Sequence, residues 1–225
     1  MRAFFSNPFI FFLVLLFCLS ICVSSLEAQE DSEEGVFDVF FMGEKVGYEE
    51  YIWESNEQEY LLTVRGRMTK PIPMVIEKLT IRLDKSFIPS QYYFKGSVSG
   101  VEQEIMSVIN EGNVENIILV AGQEQKSEVK IRRDALLLPN AVYSPYIVLT
   151  KRFPCTLQEE TELSVYIIPQ METPVTVKPS EFNPCHFILE MTGSEIHVGT
   201  DEDGNLNSLE IPLKNLKVVR VSDHT

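Results

Sequence analysis

The residues that could carry chemistry are few, and their spacing decides which reactions stay open. Histidine occurs three times, as His186, His197 and His224. A serine hydrolase needs its nucleophile on a tight strand-to-helix turn with a histidine base in reach, and no Gly-x-Ser-x-Gly precedes a helix here. Glu190 and Glu195, near His186 and His197, could form the carboxylate pair of a glycoside hydrolase, but glutamate is abundant and nothing in the sequence brings these two together. Cys185-His186 supplies two zinc donors without a second pair at metal spacing. Asp201, Asp203 and Asn205 mimic a calcium loop, yet Gly204 comes too early and the bidentate glutamate is missing, so a turn is expected. No catalytic residue, cofactor or metal is assigned.

Cys18 and Cys22 fall in an N-terminal apolar run, leaving Cys155 and Cys185. In an oxidising compartment these two would form one disulfide. Arg65, Arg67, Lys78 and Arg82 would share one sheet face, with Lys95 nearby, and such a ladder could receive an anionic phosphate or carboxylate head group. The plainer alternative is a solvated outer face paired with glutamates. The formal charge of −14 argues against nucleic acid and against an anionic membrane surface.

The elements that must position these residues are strands. Residues 1–28 have a weak positive start, the apolar run Phe9–Val23 and small residues after it, the pattern of a secretory signal peptide. An uncleaved anchor and a lipoprotein-like box at Leu19–Cys22 are the alternatives. Residues 29–35 are acidic and are expected to be a disordered leader, and 36–222 a single β domain. Period-two alternation runs through that domain. Tyr60, Leu62, Val64 and Met68 share one face against Arg65 and Arg67; then Val75, Leu79, Ile81 and Leu83 oppose Lys78, Thr80 and Arg82. Glycine- and proline-marked turns recur between such runs, predicting roughly eleven to thirteen strands in one curled antiparallel sheet, a half-barrel or open barrel.

Between Arg132 and Cys155 the alternation stops. Ser144-Pro145 reads as an N-cap followed by a residue preset for a first helical turn. Tyr146, Leu149 and Phe153 make one apolar face, and Lys151 and Arg152 suit the helix C-terminus. Leu136, Leu137, Leu138 and Val142 make the lead-in too apolar for solvent. A short helix near 145–153 is therefore expected to cover the hollow face of the sheet, either closing the core or acting as a mobile lid over a ligand groove.

Three stretches also carry a resemblance: Val36 to Gly47, the central LPN…SPYIVLTKR, and VGTDEDGNLNSLEIP with Val219-Arg220 after it. Together they resemble exported bacterial β-proteins known as domains of unknown function, which are in turn similar to the half-barrels of the LolA/LolB lipoprotein carriers. The resemblance implies an unclosed barrel with a helix in its hollow and an apolar cargo; it carries over no functional residues. The functional expectation is an exported, non-catalytic module of the bacterial envelope that holds an apolar or amphipathic, lipid-like ligand. Its groove would lie between Leu136, Leu138, Val142, Tyr146, Leu149 and Phe153 on one side and Tyr60, Leu62, Val64 and Met68 on the other. The alternatives are an envelope assembly factor binding a protein partner and, third, a hydrolase.

Overall fold

The structure is a computed structural model that describes residues 31–221 apart from Pro154, Thr156, Phe182, Pro184 and Thr192. The expected signal segment lies outside the described residues. Eight strands run in sequence: β1 (Asp31–Phe41), β2 (Glu44–Ser55), β3 (Glu59–Met68), β4 (Met74–Asp84), β5 (Pro89–Val98), β6 (Val101–Asn110), β7 (Asn113–Val120) and β8 (Gln123–Lys130). The chain then passes through β9 (Leu136–Leu137) and the helix α1 (Tyr146–Arg152). It returns through β10 (Thr161–Ile167), β11 (Met171–Pro179), β12 (His186–Met191), β13 (Ser194–Thr200), β14 (Leu206–Ile211) and β15 (Leu216–Arg220).

All fifteen strands form one sheet, in the order β8-β7-β6-β5-β4-β3-β2-β1-β15-β14-β13-β12-β11-β10-β9. The first described strand, β1, therefore lies in the middle, and the chain meanders out to one edge at β8, crosses to the other edge at β9 and meanders back until β15 lies beside β1. The curl is tight enough for side chains of opposite arms to meet: Asn116 on β7 donates to the Tyr166 hydroxyl on β10 at 3.2 Å. Among the described residues, four hairpins close through two-residue turns with both residues at positive φ, Met42-Gly43, Ser99-Gly100, Glu111-Gly112 and Ala121-Gly122. These are type I′ turns, whose twist matches that of the strands they join.

Four expectations need correction. The strand count exceeds eleven to thirteen; β9, two residues long, is too short to show a period in sequence. The sheet is not wholly antiparallel, because β9 pairs in parallel with β10, Leu136 opposite Val165. Of the expected acidic leader, Asp31–Gly35 are the start of β1 and pair with Ser55–Tyr51, so backbone pairing orders a stretch that has no apolar alternation; residues 29–30 lie outside the described residues. Finally, Val75 faces outward and Met74 and Ile76 face inward. A bulge at Glu77-Lys78 sends two successive side chains outward, and an extra residue inverts the face of everything before it.

The core fills the concave face as one cluster, with α1 inside it. Tyr146, Ile147, Val148, Leu149 and Thr150 are buried in succession, so the helix is enclosed on all sides rather than along one stripe. At seven residues it is too short to hold its shape unaided, and the surrounding sheet stabilises it.

Candidate functional site

The site is built around Glu49, in the middle of β2. Glu49 has the same parity as Tyr51 and Trp53 and so points into the hollow, where it is fully buried. Opposite it on β3 stands Gly66, and a Cβ there would lie 2.5 Å from the Tyr48 carbonyl oxygen and 3.2 Å from Glu49 Cγ. Only glycine lets β3 approach the Tyr48–Glu49 backbone this closely. The carboxylate accepts the Tyr143 N–H at 3.0 Å, and its Oε2 accepts the Ser144 N–H and Ser144 Oγ–H at 2.6 Å each. These are donors that the turn before α1 leaves unpaired, and an anion suits the positive end of a helix. Ser144 was expected to cap α1 with its side chain; instead its hydroxyl serves Glu49, and Pro145 stands at the cap without a side-chain bond. A buried carboxylate has no water to turn to, and the Ser144 hydroxyl is the side-chain donor within its reach. Burial raises the Glu49 carboxyl above the ordinary carboxylate range, and the Ser144 and Tyr143 donors pull it part of the way back.

The other end of α1 is clamped differently. Lys151 Nζ donates to Glu33 Oε2 at 2.7 Å and to Asn205 Oδ1 at 2.5 Å, and Glu33 also receives Tyr51 OH at 2.9 Å and Arg220 at 3.2 Å. Burial pushes the Glu33 carboxyl up, but the hydrogen bond and charge of Lys151, with Tyr51 and Arg220 behind them, hold it below its ordinary value. Just beyond the helix, Cys155 is disulfide-bonded to Cys185, as expected of the two cysteines outside the N-terminal apolar run.

Between β9 and α1 the segment 138–143 lies across one mouth of the curled sheet as a strap, with a cleft on either side. One cleft, of about 340 Å³, is bounded by Phe41, Leu138, Tyr146, Ile196 and Leu216. The other, of about 230 Å³, is bounded by Met74, Tyr92, Phe94 and Ile105. Pro139 to Val142 line both. The strap's outermost part is Asn140-Ala141, and Ala141 has φ +58°, a left-handed conformation that a residue with a Cβ adopts at a cost of about 1–2 kcal/mol.

Comparison with known proteins adds little to this geometry. No family model matches the chain, and no curated protein matches it. The crystal structure of a DUF1089 family protein from Pseudomonas aeruginosa is similar over 85% of this chain and 95% of that one, at 10% identity and a TM-score of 0.45. A likeness of that degree transfers neither residue nor role.

The residues expected to form a groove are placed as follows. Leu136, Leu138, Val142, Tyr146 and Leu149 are buried in the strap and helix, and Phe153 is half-buried against the core. Leu62, Val64 and Met68 are buried on the concave wall, while Tyr60 is half-buried at its margin, stacked between Trp53 and Phe87. Of these, Leu138, Val142 and Tyr146 line the clefts, and Leu62, Val64 and Leu149 are sealed core. The basic residues do not converge on the clefts. Arg65, Arg67 and Lys78 are exposed on the convex face; Arg65 stands opposite Glu50, and Arg82 is paired with Glu59. A sheet separates this ladder from the mouth, so it cannot hold the head of a molecule whose tail enters there. Glu190 and Glu195 do face one another across β12 and β13, toward solvent, with Lys178 on Glu190 at 2.8 Å. Asp201 accepts the Asp203 and Asn205 N–H groups, as a turn does. Among the described residues no group of three His, Cys, Asp or Glu side chains could hold a metal.

Two buried polar features escaped the sequence reading. Glu49 is one; the other is Asn116, which accepts Ser107 Oγ–H at 2.6 Å and donates to Ser127 at 3.2 Å and to Tyr166, tying β6, β7 and β8 to β10. Parity with neighbouring apolar residues (Tyr51 and Trp53 for Glu49, Val114 for Asn116) is the signal that could have found both.

Proposed function

We propose that the protein is an exported, non-catalytic binding module of the bacterial envelope that takes an apolar or amphipathic, lipid-like ligand at the strap-covered mouth. One observation carries this reading: the strap divides an apolar mouth into two clefts, and its helix end is fastened from inside by the Glu49 side chain. The larger cleft is at the low end of the volumes that ligands occupy, and lifting the strap would merge the two into one trough. The deeper helix stays clamped by Lys151 and the disulfide, so the strap, not α1, is the moving part in this reading.

Native mass spectrometry of protein purified from its own host tests the proposal. A co-purifying lipid-sized mass, lost when Val142 and Ala141 are replaced by aspartate, supports it. A clean polypeptide mass, together with unchanged intrinsic fluorescence on titration with fatty acids and lysolipids, overturns it. An assembly factor that binds a protein partner is the second reading; it draws on the exposed edge strand β8, since sheet edges accept added strands. Nothing in the arrangement of the described residues favours the hydrolase reading.

A further inference from the structure

The edge strand β8 reads Gln123-Glu-Gln-Lys-Ser-Glu-Val-Lys130, is exposed along almost its whole length, and among the described residues has a neighbour on one side only. Its outward backbone groups can be identified. The Ile131 N–H donates to the Gly112 carbonyl at 2.8 Å, so the odd-numbered residues of this strand turn their N–H and C=O toward β7. Glu124, Lys126, Glu128 and Lys130 therefore present theirs to the free edge. The same four residues carry the convex-face side chains, because Lys126 stands opposite the outward-facing Ile117 and Ser127 opposite the buried Asn116.

Charge along that edge alternates, Glu-x-Lys-x-Glu-x-Lys. Edges are commonly protected against pairing by charged side chains, lysine above all, and a run of one sign repels a second copy. This one does the opposite. When two copies are laid antiparallel about a two-fold axis through Ser127, Lys126 of one faces Glu128 of the other, and Glu124 faces Lys130, each twice. Outward-facing backbone groups then meet outward-facing backbone groups, as an antiparallel ladder requires. Shifting the axis to residue 126 or 128 puts lysine on lysine and glutamate on glutamate. Axes at Gln125 or Val129 also set glutamate against lysine, but with two such contacts instead of four; opposite charges across strands are favourable and like charges directly opposite are not, so the charge pattern favours the axis at Ser127.

We propose that β8 is a self-association edge: two copies of the chain join antiparallel through β8, with Ser127 on the two-fold axis, to make one continuous sheet. The proposal is independent of the ligand reading above. Eight residues span only about 26 Å at ~3.3 Å per residue, less than a standard interface, so the dimer is reversible and weakens with salt.

The test is sedimentation of the whole protein over a concentration series. The wild type should shift toward twice the monomer mass as concentration rises. Lys126→Glu with Lys130→Glu makes the edge all acidic, and Glu124→Lys with Glu128→Lys makes it all basic. Each variant alone should stay monomeric, and an equimolar mixture should dimerise. Independently, Ser127→Cys should form an intermolecular disulfide on mild oxidation, because residues in a non-hydrogen-bonded pair on the axis approach within bridging distance, whereas Gln125→Cys alone should not. A wild type that remains monomeric throughout overturns the proposal. So does dimerisation of either charge variant by itself, or equal cross-linking at 125 and 127.

Discussion

Ser144 Oγ and Glu49 Oε2 lie 2.6 Å apart in the closed interior, joining the start of the helix to the middle of β2 across a separation of 95 residues. The same oxygen takes the Ser144 N–H, and among the described residues no cation shares the site. This contact fixes where the strap lies, and its ionisation state should show in stability. Because the folded state holds the Glu49 carboxyl above its ordinary value of about 4.3, the folded chain keeps a proton that the unfolded chain releases. The Glu49 contribution is therefore greatest below about pH 4.3 and is lost as pH rises through the raised folded value. Glu49→Gln, uncharged at every pH, should be flat across that window in urea melts. Glu49→Ala should lose about 2–3 kcal/mol by orphaning the buried Tyr143 and Ser144 donors.

The clamp at the other end has the opposite sign. Glu33 is held below its ordinary value, so its contribution is present above about pH 4.3 and disappears as pH falls through the lowered folded value. Glu33→Gln should remove that acid-side loss, and Lys151→Met should reduce it. The same pH series of urea melts reads both, and a Glu33→Gln curve parallel to the wild type would refute the assignment.

Gly66 makes room for the β2 backbone at Tyr48 and Glu49. Gly66→Ala should cost about 1–3 kcal/mol, because the new methyl meets backbone at 2.5 Å and cannot be relieved by a rotamer change. Substitution of Gly43, whose absent Cβ would meet nothing, should cost less and only through its positive φ. The comparison of the two midpoints checks the close-approach argument.

Cys155 and Cys185 close a loop with a separation of 30 residues. Replacing both with alanine should lower stability by about 3–4 kcal/mol in the chain-entropy account. The check is thermal unfolding of that variant beside the wild type with and without reductant; reductant should move only the wild type.

Leu149 is fully buried inside the sheet on the enclosed helix. Leu149→Ala should cost about 2–5 kcal/mol, and Leu149→Asp more, through an unpaired buried charge. An unchanged melting temperature for Leu149→Asp would show that α1 is not the plug.

Much of this was legible without coordinates. Tyr51 and Trp53 turn inward and Tyr48 and Ile52 outward because strand side chains alternate, and that rule needs only the chain. The lump of apolar residues from Leu136 to Leu149 could not face water, so its burial followed from composition. Two cysteines outside the N-terminal apolar run left one possible intramolecular pair. What only the tertiary structure decided were relations between distant residues. The placement of β15 beside β1, the parallel pairing of β9, and the bulge that turns Val75 outward depend on which backbone groups find partners. The bond between Glu49 and Ser144 depends on two polar groups being shut off from water in the same place. Periodicity gives a residue its side of a strand; it cannot say what waits on that side, because that is set by how the whole sheet curls.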